Sequence, residues 1–390
     1  MEIRSFIKVK FIAAAGCLLF QYAAPSAAAG GILGISGELH SSAYTSDTRG
    51  GNAAGRASLG ISVFPEGNLS GVFSGEYLFR ADSSREADSY SEKFRFREAY
   101  LRVGELLPHT EIRIGRQFYG DAGSSVLYFG PGYYTPEALE SGYLDAASLN
   151  FEAGGFRFKA VYAVVNENEF SRAYGDGDYD VYVKNIAGFQ AGLDMTESLS
   201  ADIYMYDNRA GDNPAAGTHL GIYGGQLAFS SGCGSFSAGV FKNYQGGFFR
   251  DNGSGWAFRT EGNYEKTAGT FKTNARLAFF HAERDYSSYG DYAPGLVLSF
   301  YDPVSVPDGT DKQIINPGLD LTPAFLGGIT VSLDYLAVRD GGKWFGGEYD
   351  ITAAYRASEN IEFQAGAGLL DEKGGEGTRK LAELGFTYYF

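Results

Sequence analysis

The run Leu381–Phe390, LAELGFTYYF, constrains the fold of this 390-residue chain more than any other segment. Counted back from Phe390, the residues Tyr388, Phe386, Leu384 and Ala382 share one face. Tyr389, Thr387, Gly385 and Glu383 share the other. A period of two is a strand. An apolar, aromatic face opposite a carboxylate suits a closing strand with lipid outside and a wet lumen inside. The segment predicts an all-β fold: a transmembrane antiparallel up-and-down β-barrel with both termini in the periplasm of a bacterial outer membrane.

The other end agrees. Arg4, Lys8 and Lys10, then the short apolar stretch Phe11 to Phe20, then Ala27-Ala28-Ala29 predict a secretory signal peptide over 1–29. Residues 30–390 are then a single barrel domain. Cys17 after Ala14-Ala15-Gly16 echoes a lipoprotein site, but Lys10 leaves too little apolar sequence before it. No run of about 18 apolar residues exists, which excludes a spanning helix.

Composition closes off other classes. With 32 basic against 47 acidic residues, the net charge of −15 argues against nucleic acid as a partner. The chain has 2 cysteines, and removal of the leader leaves Cys233 alone. No intrachain disulfide and no cysteine metal site can then form, and no cofactor or metal is expected. His40, His109, His219 and His281 stand in no GxSxG or HExxH setting. No catalytic residue is assigned, and the chain does not read as an enzyme.

Eighteen strands are predicted, over 32–45, 55–64, 69–80, 92–103, 110–118, 143–153, 156–166, 181–194, 199–208, 218–230, 235–246, 255–266, 269–283, 313–322, 328–339, 345–357, 360–370 and 380–390. Connections after even-numbered strands are short and those after odd-numbered strands mostly long. Periplasmic turns and extracellular loops alternate in this way. The exception is the short outer link at 340–344. Sixteen strands are the alternative count, because the tenth, eleventh and fourteenth are weak.

Charge on the lipid face costs about 2–4 kcal/mol for Arg or Lys at the bilayer midplane. The charged parity of each strand therefore faces the lumen. This puts Arg56, Arg80, Arg157, Lys159, Arg259, Lys272, Arg276 and Arg356 on the pore wall, with Glu38, Glu76, Asp202, Glu261, Glu265, Asp320, Asp334, Glu348, Asp350, Glu362 and Glu383. Eleven acids against eight bases make no anion funnel, although segregated clusters would set up a transverse field. The fourth strand is undecided. Lys93, Arg95 and Arg97 alternate with Phe94 and Phe96, yet Glu98, Tyr100 and Arg102 continue on the phenylalanine parity. A bulge near Arg97, or a strand end clear of the membrane, would resolve the conflict.

The connection 119–142 is long, aromatic and nearly uncharged at its centre. It either folds into the lumen as a constriction, carrying Asp121, Tyr128, Phe129, Tyr133 and Tyr134, or caps the barrel outside. Asp176-Gly-Asp-Tyr-Asp180 opens like a calcium loop but lacks its glycine at position six and its glutamate at position twelve. A solvated acidic loop explains it better.

Four segments resemble the alginate-export family of outer-membrane barrels. They are Glu98–Gly104, the segment Arg113-Ile-Gly-Arg-Gln117 into which it leads (with Gly120-Asp121 in the loop after it), Gly347–Tyr355, and Ile361–Gly368. The resemblance implies an eighteen-stranded, energy-independent conduit whose arginine-rich wall attracts a polysaccharide. It adds Glu98, Arg102, Arg113, Arg116 and Gln117 to the pore lining. Its implied partners are outer-membrane lipid, the barrel assembly machinery and a hydrophilic solute or saccharide. The rival readings are a narrow or plugged barrel whose aromatic loops bind an extracellular partner, and a membrane hydrolase using His281.

Overall fold

The computed structural model describes residues 32–46, 50–65, 67–83, 88–121, 124, 126–130, 143–164, 183–210, 220–245, 254–284, 286, 311–373 and 378–390. In chain order the strands are β1 (Leu33–Ser46), β2 (Gly50–Val63), β3 (Leu69–Ser83), β4 (Asp88–Gly104), β5 (Thr110–Gln117), β6 (Tyr119–Gly120), β7 (Tyr128–Phe129), β8 (Leu144–Ala153), β9 (Phe156–Val164) and β10 (Val183–Thr196). There follow β11 (Leu199–Ala210), β12 (Leu220–Ser231), β13 (Gly234–Gln245), β14 (Ser254–Ala268), β15 (Phe271–Ala282), β16 (Lys312–Pro323), β17 (Ile329–Asp340), β18 (Lys343–Ser358), β19 (Ile361–Glu372) and β20 (Thr378–Tyr389). All but β6 and β7 form one 18-stranded sheet, and β6 and β7 pair with each other.

Each barrel strand pairs antiparallel with its neighbours in sequence, and β1 pairs with β20. The sheet is therefore closed and has no edge, which satisfies every ladder without water. Eighteen strands are found where eighteen were expected. Several run further than their apolar pattern, since β2 begins at Gly50 and β4 at Asp88. Backbone pairing continues through glycine and polar residues once neighbours hold the register.

Phe390 closes the cylinder. Its N–H and C=O bond Gly37 at 3.0 and 2.9 Å, and its ring lies where a Cβ on Gly37 would fall, 2.0 Å away. Tyr388 stacks on Phe390 and Phe363 tilts against Phe386. These rings belong to an aromatic band at the end carrying the short turns. Along the wall the outward parity is apolar and exposed, as at Leu59, Phe94, Leu101, Ile203, Leu227 and Leu384. A continuous belt of that size is a lipid-facing surface. No helix among the described residues is long and apolar enough to cross a membrane.

Candidate functional site

The inner wall from β1 to β5 is organised by one irregularity. Gly75 pairs Phe96 but Ser74 pairs Glu98, so Arg97 is an extra residue in β4. A bulge shifts the parity by one. Arg95 and Arg97 before the shift and Glu98, Tyr100 and Arg102 after it all face inward, while Phe94, Phe96 and Leu101 stay exposed outside. This settles the fourth strand. Arg97 Nε lies 3.4 Å from Glu76 Oε2, and fully buried Arg56 donates to Glu38 at 2.6 Å. Arg102 and Arg113 each donate to Glu111, at 2.5 and 2.6 Å. Gln117 donates to the Ala146 carbonyl at 3.0 Å and accepts from Ser148 Oγ at 2.6 Å.

The structure also explains the glycine of the Arg113–Gln117 segment. Gly115 has φ +128°, and a Cβ there would sit 2.3 Å from the Ala99 carbonyl oxygen and 2.9 Å from the Tyr100 Cα. Both obstacles are backbone. Gly115→Val is expected to lower barrel stability by about 1–3 kcal/mol or more, read as a lower temperature for loss of the compact form on unheated gels. An unchanged transition would mean that β5 can slide.

Across the lumen the expected residues face inward on their register. Arg157 bonds Asp194 and lies 3.5 Å from Asp202. Arg259 bonds Glu261. Arg276 bridges Asp320 at 2.7 Å and Asp334 at 3.0 Å, and Lys272 reaches Glu265 at 2.8 Å. Asp350 pairs opposite Asp334 on the same wall, and Glu348 beside it is fully buried. Arg356 lies by a short turn, donating to the Glu359 carbonyl at 3.2 Å, away from mid-channel. Arg80 stands opposite Ala54 in the register, and its side chain lies outside the description.

The described residues of the segment 119–129, namely 119–121, 124 and 126–129, enter the lumen. Tyr119, Val126, Leu127 and Phe129 are buried in one cluster with inward-facing side chains such as Leu144, Ile186, Ile222, Phe241, Phe280 and Leu336. Tyr119 Oη lies 3.3 Å from Tyr206 Oη, and Lys159 Nζ lies 2.9 Å from Asp121. Of the two sequence alternatives for this connection, the described part takes the inward one. Tyr128 is half-buried. Tyr133, Tyr134 and the Asp176–Asp180 loop lie outside the described residues. The apolar inner patch that receives the segment went unread in the sequence, although Ile186, Phe241 and Leu336 sit on the polar parity of their strands. Beside the segment is a cavity of about 400 Å³ whose lining includes Asp121, Arg157, Lys159, Asp202, Arg259 and Glu261. Three cations meet three carboxylates there.

One assigned pore residue faces the other way. Arg116 pairs opposite Ala99 and shares a parity with exposed Ile114, so it lies on the outer wall. The rule that charge faces the lumen fails because the charge is matched. Asp145 stands directly opposite and accepts from Nε and Nη2 at 3.0 and 3.1 Å, Nη1 donates to the Phe96 carbonyl at 3.5 Å, and Tyr143 lies under the guanidinium at 4.3 Å. His281 is also outward, opposite Phe258. Among the described residues no group of three potential ligands could hold a metal ion.

No family model matches the chain, and no curated protein sequence matches it. Solved structures do. OccAB1 of Acinetobacter baumannii aligns with a TM-score of 0.65 at 12% identity, covering 92% of this chain and 96% of that one. OccK3 (OpdO) of Pseudomonas aeruginosa aligns at 0.63 and 14% identity, covering 92% and 95%. OprD of Pseudomonas aeruginosa aligns at 0.61 and 14%, covering 94% and 97%. At such identities the likeness is one of fold, a closed eighteen-strand antiparallel barrel of the bacterial outer-membrane kind. The alginate-export resemblance gains no support from these comparisons.

Proposed function

We propose that the protein is an outer-membrane channel through which small hydrophilic solutes diffuse passively, with its narrow zone beside the inward segment 119–129. The observation that carries this is the segment itself, seated on an apolar patch and flanked by a polar cavity of about 400 Å³. The closed eighteen-strand barrel shared with the neighbours in fold supports the same reading. A polysaccharide cargo is the less favoured form of the proposal, because an inward segment narrows the path and the wall arginines are paired with acids. Export through the 1–29 leader and insertion by the barrel assembly machinery belong to the same proposal, supported by the outward aromatic row of β20.

The bulge at Arg97 changes the charge argument. It puts Arg95, Arg97 and Arg102 on the wall that holds Arg56 and Arg113, five bases beside the four acids Glu38, Glu76, Glu98 and Glu111, while Asp320, Asp334, Glu348, Asp350, Glu362 and Glu383 line β16 to β20. The two walls set up a transverse field with little net sign. Such a lumen favours neutral or zwitterionic solutes over simple ions of either charge. In planar bilayers under a KCl gradient, the reversal potential is expected to stay a small fraction of the Nernst limit. A potential close to either limit would overturn this selectivity, and absence of conductance would overturn the channel.

A further inference from the structure

Outside the channel, a basic and aromatic row follows the end of the wall that carries the long connections. Lys242 stands opposite Trp256, His281 opposite Gln313, Gln313 opposite Arg339, and Arg339 opposite Trp344. Phe258, two residues from Trp256 on the same face, links the row to His281. Lys242 Nζ sits 4.5 Å from the ring centre of Tyr244 and 4.8 Å from that of Trp256. Those two rings are its partners among the described residues. Arg339 is exposed and has no side-chain partner among them. The acids beside the row are Glu283, whose Oε2 accepts the Trp256 backbone N–H at 3.0 Å, and exposed Asp311, whose Oδ1 accepts the Arg284 backbone N–H at 2.8 Å.

Indole and phenol rings at this height belong to the headgroup zone, where their polar edges meet water and their faces meet chains. Among the described residues neither Lys242 nor Arg339 forms an ion pair, although the chain as a whole carries −15. Strands lie roughly 4.8 Å apart, so Lys242 on β13 and Arg339 on β17 stand about 19 Å from one another along the rim. Below them the wall is apolar and exposed at Val240, Phe258 and Ile315. Cations over an apolar slope fit an amphiphile with an anionic head.

We propose that this row docks the phosphorylated headgroup of a lipid in the adjoining leaflet, with Lys242 and Arg339 on its phosphates and its acyl chains against Val240, Phe258 and Ile315. The proposal rests on the barrel spanning a membrane, and is independent of what the lumen conducts. Native mass spectrometry of the full-length barrel, titrated with bis-phosphorylated lipid A and with fully dephosphorylated lipid A, tests it. The wild type is expected to retain the phosphorylated form at least tenfold more strongly. The double variant Lys242→Gln, Arg339→Gln is expected to lose most of that preference. Equal retention of both lipids by the wild type would mean apolar contact alone, and would overturn the proposal without any variant. Undiminished preference in the double variant would place the phosphates elsewhere, and would overturn it too. Bilayer conductance of the same samples separates this outcome from failure of the channel reading, because a barrel that does not span will not conduct.

Discussion

Replacing Leu127 and Phe129 together by aspartate is expected to raise single-channel conductance several-fold while leaving the barrel assembled. Both side chains are almost fully buried, at 2% and 3% exposure, inside the lumen rather than between sheets. A carboxylate forced into that apolar patch without a partner costs several kcal/mol. What holds the segment apart from this burial is modest. The Lys159–Asp121 pair is solvent-exposed and contributes up to about 1 kcal/mol. The Tyr119–Tyr206 contact adds about as much. Those contacts cannot offset two buried charges, so the segment should leave the lumen. The eighteen ladders do not depend on it, and heat-modifiable migration on gels should be retained. Asp121→Ala alone removes only the exposed pair and should change conductance little. Unaltered conductance in the double aspartate variant would show that residues 119–129 do not limit the path.

The architecture was readable because the physics of a lipid-facing wall is repetitive. Apolar and polar residues alternate in strand after strand, as in Ala57, Leu59 and Ile61 against Arg56, Ser58 and Gly60, and the turn lengths alternate with them. Strands with weak patterns, such as Leu220–Ser231, still form because both neighbours supply their register. The channel interior was readable only where it behaves like water. Charged residues on the inward parity could be found from the cost of placing them in lipid. The apolar patch of Ile186, Ile222, Phe241 and Phe280 could not, because a hydrophobic residue is allowed on either face once a segment folds inward to cover it. In β4 the two parities contradict each other in sequence, and only the observed register shows that Arg97 absorbs the extra residue. Arg116 misled the argument for the opposite reason. Its charge is neutralised from β8, a strand 27 residues or more further on, which no reading of β5 alone can reveal.

That outward pair carries the other large expected effect. Arg116 and Asp145 form a two-pronged, charge-assisted contact on the outer wall, with Tyr143 packed beneath the guanidinium. Asp145→Ala removes this counter-charge and leaves the guanidinium on the lipid side with the Phe96 carbonyl 3.5 Å from Nη1 and the Tyr143 ring beneath it. Arginine on that face costs about 2–4 kcal/mol at the midplane and falls to about 0–1 kcal/mol near the interfaces. Arg116 and Asp145 each stand one residue from the end of their strands, β5 and β8, while Ala99 opposite Arg116 lies inside the 17-residue β4, and the expected loss lies between those limits. Removing both charges by Arg116→Leu and Asp145→Leu should restore most of the stability or exceed it, since a desolvated ion pair contributes little over packed apolar groups. The check is reversible urea unfolding in lipid vesicles for Arg116→Leu, Asp145→Leu and the double variant, with Asp145→Ala alongside. A coupling free energy near zero, with Asp145→Ala as stable as the wild type, would mean that Arg116 reaches water or headgroups unaided, and that this part of the wall stands higher in the membrane than its register implies.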